Sequence, residues 1–116
     1  MKYILLMYAN QSEYPQLTEE QQREEQRAWV AFMQDAKAAG VLIDNNGLAP
    51  GVSATTVRVR DGKTLTTDGP FAETHEQMAG YSVLECKDLD DAIGWAARIP
   101  TARYGSIEIR PLWAPG

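Results

Sequence analysis

The sequence predicts a single α+β domain, residues 1–116, of the ferredoxin-like split βαβ kind with an antiparallel sheet. Three observations predict it. The chain opens strand–helix–strand and closes strand–helix–strand; an Asp-Gly hairpin lies between these halves; and the length suits one hydrophobic core, since domains cluster at roughly 100–150 residues. A composition 44% hydrophobic and 23% charged is that of a globular chain, not a disordered one.

Tyr3 to Tyr8 is a continuous apolar run rich in aromatic and branched side chains, which predicts a central strand covered on both faces. After a loop containing Pro15, Thr18 and Gln21 have the spacing of a capping box, so a helix runs from about Thr18 to Ala39 and stops at Gly40. Its first half is polar. Trp29, Phe32, Met33 and Ala36 then recur at helical spacing, so only the second half offers a core-facing stripe.

Val41 to Ile43 is a short strand that dissolves into turn-rich sequence from Asp44. Ala54 to Arg60 alternates, with Val57 and Val59 opposite Thr56, Arg58 and Arg60, and predicts a half-buried strand. Asp61-Gly62 is a favoured hairpin turn that returns the chain through Lys63 to Thr67. Met78 to Cys86 is again a strand. Asp88, with Asp91 three residues later, opens a second helix whose apolar face is Leu89, Ala92, Ile93 and Ala96, and Pro100 ends it. Ser106 to Leu112 sets Ile107 and Ile109 against Glu108 and Arg110, and Pro111 and Pro115 mark the tail. Two helices cover one face of such a sheet. The other face needs a partner or a pocket, and a symmetric homodimer is the simplest solution.

A net charge of −5 argues against nucleic-acid and anionic-membrane binding, both of which need a positive surface. The N-terminal apolar run is far shorter than the ~20 residues of a membrane span and has no small-residue cleavage site after it. The lone Cys86 cannot form an internal disulfide and is read as a small buried hydrophobe, so a cytoplasmic location is expected.

Thr67-Asp68-Gly69-Pro70-Phe71-Ala72-Glu73-Thr74-His75-Glu76, followed by Gly80-Tyr81, the Asp88-Leu89-Asp90-Asp91-Ala92 helix start, Ala97-Arg98-Ile99-Pro100 and Gly105 to Pro111, resembles the DGPF branch of the YCII-related family. The resemblance covers nearly the whole chain. It implies a ferredoxin-like subunit that pairs through its sheet into a dimeric α+β barrel with a cleft. Some relatives are enzymes acting on small ring compounds through an Asp–His pair. Others appear beside extracytoplasmic-function sigma factors, which implies a regulatory link. This chain departs from the pattern twice: Trp29 falls where enzymatic relatives keep a first-helix histidine, and His75 stands where the motif usually has lysine.

The candidate site is therefore the D-G-P-F loop and the polar strand faces near it, with Asp68 and His75 as candidate catalytic groups. Gly69, Pro70, Phe71, Tyr81, Arg58 and Arg110 are candidate ligand-binding residues. Asp68 is either a turn residue that bonds nearby amides or a general base. His75 is either a surface residue or a proton-transfer group. One imidazole beside Asp68, Glu73 and Glu76 lacks fixed ligand spacing, so neither a metal nor a cofactor is expected. Phe71 reads as an anchor pinning the loop to the core. Arg58, Tyr81, Glu108 and Arg110 share polar strand faces, where cross-strand pairing and the capture of a ligand carboxylate look alike. Two functions fit: a ligand-binding or regulatory module with a small-molecule cleft, or a lyase- or isomerase-type enzyme acting on a small ring or carboxylate compound, with Asp68 moving the proton. The missing dyad histidine favours the first.

Overall fold

A computed structural model describes residues 1–10, 16–72 and 75–113. Pro15, Glu73, Thr74 and Pro115 lie outside the described residues. The elements are β1 (Lys2–Ala9), α1 (Glu19–Ala38), β2 (Leu42–Gly47), β3 (Thr55–Arg60), β4 (Lys63–Asp68), β5 (Gln77–Glu85), α2 (Leu89–Ala96) and β6 (Ser106–Pro111), with 3₁₀ turns at Gly51–Ser53 and Pro100–Arg103. Four strands form an antiparallel sheet in the order β2-β5-β1-β6, and β3 and β4 form a separate two-stranded sheet. This is the expected α+β, ferredoxin-like arrangement.

The sheet is two-faced. Tyr3, Leu5, Met7 and Ala9 of β1 are buried against the helix layer, while Ile4, Leu6 and Tyr8 between them are half-buried on the open face. The expected cover on both faces of β1 is therefore complete on one side within a single chain. The core joins Leu5, Tyr3, Leu84 and Cys86 to Phe32 of α1 and to Ala92, Ala96 and Ile99, with Trp29, Met33 and Trp95 packed at its margin. Phe32 meets both Trp29 and Trp95 edge-on, each at 6.1 Å between ring centres, so one aromatic ring couples the two helices.

Local signals set the helix starts. The Thr18 hydroxyl accepts from Gln21 N at 3.1 Å and the Gln21 side chain accepts from Thr18 N at 2.9 Å, completing the capping box. Asp88 caps α2 by accepting from Asp91 N at 2.9 Å. The small Ala92 and Ala96 bring α2 close to the sheet. Leu89 and Ile93, expected on its buried face, lie about half exposed, because the contact needs only the narrow alanine stripe. Arg98, beyond α2, stacks over Trp95 at 5.3 Å and pairs with Asp35, tying α2 to α1.

Two expectations change. β2 extends through Asp44-Asn45-Asn46-Gly47, read from sequence as turn, because those residues pair with Gly80 to Val83 of β5 after a register shift. The β3–β4 hairpin is formed as expected, with Asp61 and Gly62 both at positive φ in its turn, but it is not half-buried. Val57 and Val59 are each 59% exposed, because the hairpin forms its own sheet instead of lying on the main one.

Candidate functional site

The D-G-P-F loop begins where β4 ends. Gly69 sits at φ 93°, its N–H donates to Ala54 O at 2.6 Å, and its carbonyl accepts from the Thr56 hydroxyl at 2.8 Å. These bonds fix the loop. The Asp68 carboxylate takes no part: it is exposed and has no side-chain partner among the described residues, so the turn-forming role expected of it falls to Gly69 and Thr56. Phe71 is 79% exposed and is not the core anchor expected. Pro70 instead approaches Gly51, in the connection between β2 and β3, where the Gln77 side chain at the start of β5 also comes close. His75 is exposed, and it makes an interaction of its own.

The candidate binding residues do not converge. Arg58 lies on the exposed hairpin, outside the four-stranded sheet. Tyr81 and Arg110 lie on the open sheet face, on opposite sides of β1, since Leu6 pairs with both Tyr81 and Glu108 and Ile4 pairs with Arg110. Each belongs to a separate polar group. On one flank the Tyr81 hydroxyl donates to Asp44 Oδ2 at 2.9 Å and accepts from Asn46 Nδ2 at 3.0 Å. On the other, Arg110 Nη2 donates to Glu108 Oε2 at 3.1 Å, and the Tyr8 hydroxyl donates to Glu108 Oε1 at 3.3 Å. Burial first, then the adjacent Glu108 charge, pushes the Tyr8 hydroxyl pKa above its ordinary value. Among the described residues, no group of three His, Cys, Asp or Glu side chains is placed to hold a metal ion.

A cleft does form, on the helix side of the sheet. It has a volume of about 320 Å³, and its walls are Met7 of β1, Trp29 of α1, Asn45 to Gly47 of β2, Ala79 of β5 and Thr101 of the second 3₁₀ turn. Sequence reasoning missed it because it draws on five elements remote in the chain. Trp29, which the sequence resemblance implies stands where enzymatic relatives keep a histidine, was an available pointer. The residues lining the cleft carry three donors with no protein partner among the described residues: the Trp29 indole N–H, the Asn45 amide nitrogen and the Thr101 hydroxyl. These atoms keep contact with solvent, since no buried side-chain N or O among the described residues is unpaired. The Asn45 carbonyl oxygen is already used, because the buried Ser82 hydroxyl donates to it. None of the described lining side chains is ionisable.

Other depressions among the described residues are built differently. One of about 390 Å³ follows the outer face of α1 alone, between Arg23, Arg27 and Val30. Another, between α1 and the second 3₁₀ turn, has its Tyr104 hydroxyl bonded to Glu25 at 2.6 Å.

Comparison with known proteins places this fold. The model of the YCII-related domain family matches residues 1–114. The chain belongs to the YCII-related family. It is also 35% identical over 120 residues to Uncharacterized protein R00369 of Rhizobium meliloti (strain 1021), an alignment that covers 100% of this chain and 97% of that protein. In this YCII-related chain no helix is long and apolar enough to cross a membrane among the described residues.

Proposed function

We propose that this YCII-related protein is a small-molecule-binding, regulatory module whose ligand sits in the Trp29 cleft and not on the D-G-P-F loop. One observation carries the reading: Trp29, Asn45 and Thr101, which line the cleft, carry three donors without a protein partner among the described residues, and none of the described lining side chains is ionisable. Such a wall binds acceptor oxygens, and its described side chains offer no group that exchanges a proton near neutral pH. The volume lies at the low end of ligand pockets, roughly 300–1,000 Å³, and suits a single ring. The indole face of Trp29 and the side chains of Met7 and Ala79 favour an uncharged, planar compound carrying carbonyl, lactone or phenolic oxygen. The D-G-P-F loop braces the frame near Gly51 and Gln77, two residues along β5 from Ala79. The working unit is a cytoplasmic homodimer, supported by the open sheet face and by the lone, buried, reduced Cys86.

The test is a thermal-shift screen with neutral single-ring ketones, lactones and phenols. A ligand present at about a hundredfold excess over its Kd stabilises by about 2.7 kcal/mol, which raises Tm measurably. The raised Tm should disappear in Asn45→Leu and Thr101→Val, and the bound compound should be recovered unchanged. Turnover of the compound, or equal Tm gains in both variants, would contradict the reading.

A further inference from the structure

The β3–β4 hairpin stands outside the core. Among the described residues its two strands pair only with each other, and nearly every residue in them is exposed. The chain is correspondingly extended: the radius of gyration is 16.4 Å, where a compact domain of this length has about 13 Å. An isolated two-stranded hairpin is marginal in water. This one also has unlike faces. Register places Thr56, Arg58 and Arg60 beside Lys63, Leu65 and Thr67 on one side, a face with three cations and no anion. The opposite side sets Val57 and Val59 beside Thr66 and Thr64, a flat β-branched surface with no charge until Asp68 at its base. A strand face of that composition fits apolar cover, and the described residues leave it exposed.

The same molecule has a second incomplete surface, the open face of the main sheet with Ile4, Leu6 and Val83 between the two polar flanks. Face-to-face pairing of two copies through that sheet has a modest footprint by itself and leaves the hairpin uncovered. With strands about 4.8 Å apart and about 3.3 Å of rise per residue, four strands cover roughly 400 Å² on each copy, roughly 800 Å² in all. Stable interfaces bury about 1,200–2,000 Å². One hairpin face of two strands offers roughly 200 Å², so two symmetric arms, each seated on the other copy, add roughly another 800 Å².

We propose that the β3–β4 hairpin is an arm that each copy lays, by its Val57–Val59 face, against a second copy of this chain, leaving the Arg58–Arg60–Lys63 face to solvent. The occupant is a second copy because one isologous contact then answers both deficits, the uncovered sheet and the uncovered hairpin, and supplies the missing area. This inference rests on the homodimer of the proposed function and adds to it the element that clasps the partner.

Sedimentation of the full chain across a dilution series from micromolar to nanomolar tests it. The native protein should sediment at about twice the 12.9 kDa chain mass. Val57→Glu/Val59→Glu should weaken the dimer at least tenfold. Leu65→Ser, on the opposite hairpin face, should leave it unchanged. Circular dichroism of each variant should match the native protein, because neither site touches the core. Amide exchange supplies a second readout, with Thr55 to Arg60 protected in the dimer and progressively less so on dilution. A native dimer unaffected by the double valine variant, with hairpin amides that exchange freely at every concentration, would overturn the arm and leave the dimer standing. A native protein that is monomeric throughout would overturn both. Weakening by Leu65→Ser alone would overturn the assignment of the docking face.

Discussion

The buried Ser82 hydroxyl donates to Oδ1 of Asn45, and this bond leaves the Asn45 amide nitrogen as a donor without a protein partner among the described residues. Ser82 pairs with Leu5 in the middle of the sheet, so a fully buried position orients a residue at the wall of the cleft. Ser82→Ala should cost about 1 kcal/mol of stability, the net value of a typical hydrogen bond, and should weaken ring-compound binding as the Asn45 amide gains rotational freedom. Urea denaturation and calorimetric titration of the variant measure the two effects. A stability loss with unchanged affinity would detach Ser82 from the cleft.

Gly105 is required for packing. A Cβ there would lie 2.1 Å from the Tyr8 carbonyl oxygen, a backbone atom that cannot rotate away, and 3.1 Å from the Ala9 Cβ. Gly105→Ala should therefore push β6 away from β1 and cost about 2–3 kcal/mol or more, seen as a lower urea midpoint with unchanged slope. Gly94→Ala, on the exposed side of α2 with nothing near its Cβ, should instead be neutral or stabilising.

The capping box at Thr18 predicts a smaller, local effect. Thr18→Ala removes the acceptor for Gln21 N and should destabilise by about 1 kcal/mol, while Thr18→Ser should restore nearly all of it. Thermal unfolding of the two variants gives the comparison. Equal Tm values for alanine and serine would show that the first turn of α1 contributes nothing to global stability.

Tyr8 makes the open sheet face sensitive to alkaline pH. Its hydroxyl holds its proton more tightly in the folded chain than in the unfolded one, first through burial and then through the Glu108 carboxylate. The associated stability is complete below the unfolded value of about 10 and is lost as pH rises through the higher folded pKa. Ring resonances of Tyr8 followed by NMR should titrate above those of a free tyrosine. Glu108→Gln should move that midpoint down without returning it fully, since burial remains.

Features of this molecule set by local chemistry could be read from sequence. Thr18 with Gln21 and Asp88 with Asp91 satisfy backbone donors within one turn, and they cap the helices as their spacing predicts. Cys86, just past the end of β5, is a buried hydrophobe. Val57 and Val59 show where such reading ends: alternation reports that a strand has two unlike faces, but not whether its own chain covers either of them. Phe71 carries the same lesson, since an aromatic after proline marks apolar surface without saying what it meets. The cleft was hidden for a different reason. Met7, Trp29, Asn45, Ala79 and Thr101 meet only through the β2-β5-β1 sheet order and the packing of α1 across it, and no spacing along the chain encodes that meeting. Asn45 and Asn46 looked like turn residues because the partner that makes them a strand, β5, begins about thirty residues later.

The most direct test of the account is an NMR titration of the native protein with a neutral aromatic amide such as benzamide and with phenol, following side-chain N–H signals. The Trp29 indole and Asn45 amide resonances should shift saturably and together, with the backbone amides of Asp68 to Phe71 unmoved. Saturable shifts confined to Asp68, Phe71 and His75, with Trp29 and Asn45 unchanged, would return the site to the D-G-P-F loop and contradict the cleft.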